Sequence, residues 1–375
     1  MTGSSSGSGS GSGSGSTRKR VFQVATGNVG SEMVRRMGDQ PDLELVGLHC
    51  YTPDKIGRDA GEIVGIGPIG VVATGDVADI LAAAPDCVNF NGVWPDTDLF
   101  VAVLEAGINV VSTADWITGH HRDANHPLPS GARASDVIEA ACRRGGSTFY
   151  GTGMNPGLAN ILSVVATAGM GRVDHITVLE SVDVSCHHSV DTWKNCGYGL
   201  AVDDPRVPGM LEKGCTVFGD AIHLMADCLG VEIDEIVYEC ELGACQEDVD
   251  LGWWQLPKGS VGASLSKFIG IVDGVPRIEV HLEWQMAKDT VPSWDVQGCY
   301  ITTVTGDPTI VNRFMIFPAV GDTIFDDEYF ASLGMTLTGM PALHAIGAVC
   351  DARPGIITSA DLPLRAFAGR FGPAQ

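Results

Sequence analysis

The run Thr26-Gly27-Asn28-Val29-Gly30 has the residue types and spacing to hold a phosphate. It follows a compact apolar stretch, Val21 to Ala25, that reads as a buried strand, and it leads into a helix-like segment, Ser31 to Met37. A strand, a tight glycine turn and a helix together present unpaired backbone N–H groups to an anion. A side chain no larger than hydrogen lets the backbone approach a pyrophosphate. Against the pattern Gly-x-Gly-x-x-Gly, Ala25 stands in the first place, Gly27 in the second and Gly30 in the third. The first glycine serves the turn and the second serves the phosphate, so Ala25 is a small loss. The bland alternative is an ordinary strand-to-helix turn. The βα pattern that continues behind the run favours a dinucleotide.

Which dinucleotide is written at the end of the next strand, Leu43 to Tyr51. An acidic residue about 20 positions after the glycine turn would bind a ribose 2′-hydroxyl and exclude a 2′-phosphate. Here the strand runs out into Thr52, with Lys55 and Arg58 close behind. Those cations can receive a 2′-phosphate, so the expected cofactor is NADP, with NAD as the fallback. Two solvated loop charges fit the same residues. Cys186-His187-His188 is the one stretch that resembles a metal seed, but no second cluster stands at ligand spacing and no metal is expected. The eleven cysteines include no Cys-x-x-Cys pair and are read as reduced packing residues.

These residues need elements to position them. Strand-like and helix-like segments alternate from Val21 to Tyr150, including Cys87 to Gly92, Thr97 to Ala106 and Asn109 to Thr113. That alternation means a parallel sheet with right-handed crossovers, whose ligands lie beyond the carboxyl ends of the strands. Thr26 to Gly30, Asn91 and Gly92, and Thr113 to Trp116 should therefore meet in one crevice. The irregular stretch from Trp116 to Gly131 is either a lid or substrate loop, or a solvated excursion. A second glycine-rich turn, Gly151 to Gly157, brings Asn155 and Pro156 to the same edge.

From Val173 the pattern changes to period-two alternation, as in Asp174 to Ser185, Ile233 to Leu242, Arg277 to Met286 and Gly298 to Thr305. The expected architecture is α/β: a Rossmann-like parallel sheet followed by an α+β domain with a mixed or antiparallel sheet. The boundaries follow: residues 1–16 as an artificial Gly/Ser linker, 17–157 as the dinucleotide-binding domain, 158–338 as a substrate and dimerisation domain, and 339–375 packing back on the first. Aromatic residues collect in the second domain, and some of them should wall an apolar pocket. A net charge of −23 repels nucleic acid and anionic membranes. The composition reads as globular, with no uninterrupted apolar run of membrane-spanning length, and a cytoplasmic location is expected.

Val24 to Gly30, Pro53 to Glu62, Asn109 to Thr113 and Gly151 to Gly157 together resemble the dihydrodipicolinate-reductase-like group. Within it the chain is most similar to the 2,4-diaminopentanoate dehydrogenases and the native amine dehydrogenases of bacteria. The resemblance covers most of the chain after the linker, and Gly-Thr-Gly-Met-Asn-Pro-Gly is its most specific piece. It implies reductive amination of a ketone or aldehyde with ammonia and NAD(P)H, the reverse oxidative deamination, and a homodimer. It also implies an acid–base carboxylate just after the strand ending at Thr113. The family sequence there is Ser-Thr-x-Glu-Glu, and this chain has Ser112-Thr113-Ala114-Asp115-Trp116. Asp115 keeps a carboxylate one methylene shorter, and Trp116 replaces the second. Asp115 is thus a base, a substrate anchor or a helix cap. Trp116, His187, His188, Trp284 and Trp294 are the expected pocket residues. The departure at Asp115 leaves open an ammonia-independent carbonyl or imine reductase, and a catalytically silent nucleotide sensor.

Overall fold

The computed structural model describes residues 18–319, 321–323 and 326–362; the Gly/Ser run and the chain after 362 lie outside the described residues. The first part alternates strand and helix: β1 (Lys19–Val24), α1 (Asn28–Met37), β2 (Leu43–His49), α2 (Ala60–Val64), β3 (Ala73–Thr74), α3 (Val77–Ala83), β4 (Cys87–Phe90), α4 (Thr97–Glu105), β5 (Asn109–Ser112), α5 (His120–Asn125), α6 (Ala134–Gly145) and β6 (Thr148–Gly151). The buried parts of these strands are largely apolar because helices cover both sheet faces. Val21, Val24, Val88, Phe90, Val110, Val111 and Phe149 are all buried. Among the described residues the sheet is seven-stranded, in the order β16-β6-β5-β4-β1-β2-β3, where β16 (Gly355–Ile357) returns from the far end of the chain. Every pairing in it is parallel. The carboxyl ends of β1, β4, β5 and β6 therefore share one edge.

The second part comprises α7 (Ala159–Thr167), β7 (Arg172–Asp183), α8 (Val190–Asn195), α9 (Val207–Cys215), α10 (Val217–Leu229), β8 (Glu235–Cys245), β9 (Val249–Asp250), β10 (Gln255–Leu256), β11 (Val261–Val272), β12 (Val275–Gln285), β13 (Thr290–Val291), β14 (Cys299–Asp307) and β15 (Ile310–Met315). Its main sheet runs β13-β8-β11-β12-β7-β14-β15 and is mixed, with β12 and β7 parallel and the other pairs antiparallel. Ile176, Val178, Val280, Leu282 and Phe268 point to the face that joins the core with Ala221, Ile222 and Met225 of α10. The strand β11, which the alternation does not reveal, carries Gly262, Ser264, Ser266 and Gly270 on that face. A Cβ at Gly270 would stand 2.5 Å from Ile222, so small residues there let the helix approach.

The last long helix, α11 (Asp327–Cys350), starts before the segment expected to begin at residue 339 and runs through Pro341. With a mean hydropathy of 1.4 it is long and apolar enough to cross a membrane by length and composition. In the fold, Leu343, Ile346 and Val349 pack with Met33, Met37 and Val111 in a cluster of the first domain. A Cβ at Gly339 would collide with the Met33 side chain at 2.4 Å, which fixes how closely α11 lies on α1.

Candidate active site

The glycine turn sits between β1 and α1. Gly30 is required there, since a Cβ would stand 2.2 Å from the Ala25 carbonyl oxygen. Ala25 itself has φ of 71°, in the left-handed region where glycine is at ease. The first turn of α1 has no side-chain cap and no acidic residue, so its N–H groups and dipole remain available to an anion. Lys55 Nζ lies 3.0 Å from the Thr26 carbonyl and 3.1 Å from Thr26 Oγ1. That ammonium leans on the cradle rather than standing alone at the end of β2. Thr52 and Arg58 are exposed at that end, and Tyr51 donates to Asp96 at 2.8 Å.

Behind the cradle is a buried polar network that a reading by motifs misses. Gln23 Nε2 donates to Asn91 Oδ1 at 2.8 Å, Asn89 Nδ2 to Gln23 Oε1 at 2.8 Å, and Asn91 Nδ2 to Thr113 Oγ1 at 2.8 Å. It ties the ends of β1, β4 and β5 together and orients Asn91 and Thr113 at the crevice. Gly92 follows, where a Cβ would collide with the Phe90 ring at 2.7 Å. The signal was a Gln and an Asn, fully buried, inside otherwise apolar strands.

Asp115 follows β5 with φ of 27°, a strained conformation for a residue with a side chain. Its Oδ2 accepts from Arg122 Nη1 at 2.8 Å and its Oδ1 lies 3.2 Å from His121 Nε2. Burial pushes its carboxyl up, but the hydrogen bonds and charges of His121 and Arg122 outweigh this and hold it below the ordinary aspartate range. Asp115, His121 and His126 also bring ligand-type atoms within 4.8 Å of one another. Because Arg122 already neutralises the carboxylate, the trio reads as an ion-pair network.

The start of the stretch after Trp116 is held down, while most residues from 124 to 131 are exposed. Asp220, fully buried on α10, accepts from the backbone N–H groups of Ile117 at 3.3 Å, Thr118 at 3.1 Å, Gly119 at 3.1 Å and His121 at 2.7 Å. A carboxylate of the second domain thus caps α5 and fixes the partners of Asp115. Further on, Asp123 accepts from Ser135 and Arg133.

On the other wall, Glu180 of β7 is buried, receiving Asn155 Nδ2 at 2.8 Å and Trp284 Nε1 at 2.8 Å. Burial pushes its carboxyl above the usual range against the pull of both donors. Pro156 is half-buried beside Asn155. Trp284 stands edge-on to Trp193 and Phe218.

The remaining pocket expectations resolve differently. Trp116 is 1% exposed and packs edge-on to Phe149 in the core of the first domain. Gly119 and Gly151 make room for it, so it walls no pocket. His188 is exposed, lying over Trp253 and 3.8 Å from Asp327, while His187 is half-buried and its Nε-side carbon faces Gly334 of α11. Trp294 is half-buried in the loop between β13 and β14. A cavity of about 580 Å³ does open beside the end of β6, lined mostly by aliphatic side chains such as Leu158, Ile161, Val165, Leu337 and Met340, with Tyr150, Thr152, His344 and Ser359 as its polar members.

A parallel sheet with an uncapped helix behind a glycine turn, and a second domain closing on its carboxyl edge, defines a Rossmann-type dehydrogenase fold. The chain is 31% identical over 365 residues to an amine dehydrogenase of Streptomyces virginiae, covering 93% of this chain and 98% of that one. It is 24% identical over 370 residues to a 2,4-diaminopentanoate dehydrogenase of Acetoanaerobium sticklandii, covering 94% and 96%. Its fold matches the structure of amine dehydrogenase from Mycobacterium smegmatis with a TM-score of 0.74 and 17% identity, over 94% of this chain and 98% of that one. No protein-family model matches the chain. The chain belongs to the amine dehydrogenase family, within the dihydrodipicolinate-reductase-like group of oxidoreductases.

Proposed function

We propose that this protein catalyses the reductive amination of a small ketone or aldehyde with ammonia and NADPH, and in reverse the oxidative deamination of the amine. The observation that carries the reading is the single edge on which the glycine cradle, the Asn91–Thr113 pair, Asp115 and Asn155 come together. The family relationship supports the use of an amine. The cradle fits a dinucleotide because α1 begins uncapped and Gly30 admits no side chain. Backbone groups of Gly27, Asn28 and Val29 would hold the pyrophosphate, with Asn91 and Thr113 further along. Thr52 and Arg58 would meet a 2′-phosphate, and Lys55 would serve the cradle. Bound there, the dinucleotide supplies the reducing hydride equivalent.

The chain's own residues handle everything else. Asp115 takes a proton from the attacking nitrogen and returns it to oxygen as water leaves. Its ion pair with Arg122 keeps it anionic and so ready to accept a proton. We read the protein as a homodimer. The outer face of the second sheet supports this, since Leu179, Leu265, Ile269 and Ile301 are half-exposed there beside the exposed Val237 and Val311.

The test is NADPH consumption over a panel of ketones and aldehydes, with and without ammonium. Loss that requires ammonium is the expected result. Equal loss without ammonium would make the protein a carbonyl reductase, and binding without turnover would make it a sensor.

A further inference from the structure

Glu180 is a buried carboxyl that the reaction outlined above leaves idle. It sits on β7 directly across from Tyr300 of β14 and Leu282 of β12, on the covered face of the sheet. Its two oxygens are divided: Oε1 accepts from Trp284 and Oε2 from Asn155. Asn155 can face Glu180 only through its NH2, because its oxygen would repel the carboxylate. That orientation leaves Asn155 Oδ1 buried without a donor. A carboxylate with spare lone pairs and an orphaned amide oxygen therefore stand side by side, walled by the rings of Trp284 and Tyr300. Both groups lack the same thing, a compact donor rich in N–H.

The place is also right. Gly151 at the end of β6 pairs with Ser112 at the end of β5, and Thr152 N–H donates to the Ser112 carbonyl at 2.9 Å. Asn155 and Asp115 thus follow the carboxyl ends of neighbouring parallel strands, on the same edge of the sheet.

We propose that Glu180, with Asn155 Oδ1, is the site that takes up ammonium, and that Glu180 is a second catalytic carboxyl. This rests on the amination reading. Ammonium, the form ammonia takes at neutral pH, gives one proton to Glu180 and becomes nucleophilic. Its nitrogen forms a bond to the carbonyl carbon while the C=O π pair moves to oxygen. Asp115 carries a proton from that nitrogen to the oxygen, giving the carbinolamine. Glu180 returns its proton to the hydroxyl as the C–O bond breaks and water leaves, which creates the iminium ion. Reduction of this ion by NADPH completes the balance of carbonyl, ammonium and NADPH to amine, NADP⁺ and water. Asp115, held ionised by Arg122 and His121, is suited to the internal transfer and not to storing a proton.

The experiment uses the full-length protein and the variants Glu180→Gln and Glu180→Asp, with circular dichroism to check folding. Ammonium chloride is titrated against sodium chloride while tryptophan emission is followed without ketone, since Trp284 touches the site. Wild type should respond to ammonium, and Glu180→Gln should not. In turnover, Glu180→Gln should raise the KM for ammonium by about 10- to 100-fold, the worth of one or two charge-assisted hydrogen bonds, with the KM for NADPH nearly unchanged. Glu180→Asp should recover part of the loss. An unaltered ammonium response and ammonium KM in a folded Glu180→Gln protein would overturn the proposal. If wild type binds ammonium by fluorescence yet reduces ketones without it, the amination reading fails while the binding site stands.

Discussion

Asp220 is the best place to test how the fold builds the site. Its carboxylate receives four backbone N–H groups from the segment after Asp115, three on Oδ2 and one, the shortest at 2.7 Å, on Oδ1. Hydrogen bonds to a charged acceptor are worth about 1.5–3 kcal/mol each, and orphaned buried donors cost about 1–3 kcal/mol. An Asn at this position can keep its oxygen in the Oδ2 place and hold Ile117, Thr118 and Gly119. Its NH2 then faces the His121 N–H, so one buried donor is lost, at about 1–3 kcal/mol. Asp220→Ala loses all four, and after partial hydration of the space left behind should cost about 3–5 kcal/mol. Native-state hydrogen exchange reads this locally, which suits a two-domain chain that need not unfold in one step. Protection at His121 should fall in both variants, while Thr118 and Gly119 should stay protected in Asp220→Asn and lose protection in Asp220→Ala. Equal protection in wild type and Asp220→Ala would refute the reasoning, as would an Asn variant worse than the Ala variant.

Three other outcomes follow from the same geometry. Ala25→Gly should stabilise the protein or leave it unchanged, relieving about 1 kcal/mol of left-handed strain against the entropy that glycine adds to the unfolded chain; urea unfolding checks it, and clear destabilisation would contradict it. Asp115→Asn should abolish turnover while leaving NADPH affinity nearly unchanged in a fluorescence titration. Because the folded carboxyl of Asp115 is depressed, its stabilising contribution is present above the unfolded value of about 4 and is lost as pH falls through the folded one; Arg122→Ala removes one of the groups that depress it and should move the acid limb of kcat/KM upward in a pH–rate profile, and an unmoved limb would contradict this. Arg58→Ala should weaken NADPH more than NADH, and Lys55→Ala should weaken both, because Lys55 rests on the cradle; equal losses for Arg58→Ala would remove the 2′-phosphate assignment.

The first domain was legible because burial on both faces makes its strands largely apolar runs, and because the run from Thr26 to Gly30 needs specific residues for steric reasons. The second sheet was legible where one face is wetter than the other, as in β7 and β12. The strand β11 was not, since close packing by α10 replaces large apolar residues with Gly and Ser. Helix α11 crosses the boundary drawn at residue 339, starting at Asp327 and running through Pro341. The candidate site divides in the same way. The cradle and Asp115 announce themselves by motif. Gln23, Asn89, Glu180 and Asp220 are single polar residues in apolar surroundings, and their meaning lies in partners up to 104 positions away, as between Glu180 and Trp284. Trp116 shows the converse: a large aromatic residue beside a candidate carboxylate looks like a pocket wall until the glycines that seat it in the core are seen.

The central claim is that nitrogen from ammonia ends on the carbon that is reduced. Incubating the protein with a ketone, NADPH and ammonium carrying heavy nitrogen, followed by mass spectrometry of the product, tests this directly. The account predicts an amine heavier by the label, formed in step with NADPH loss. An alcohol in its place, formed equally well without ammonium, would contradict it.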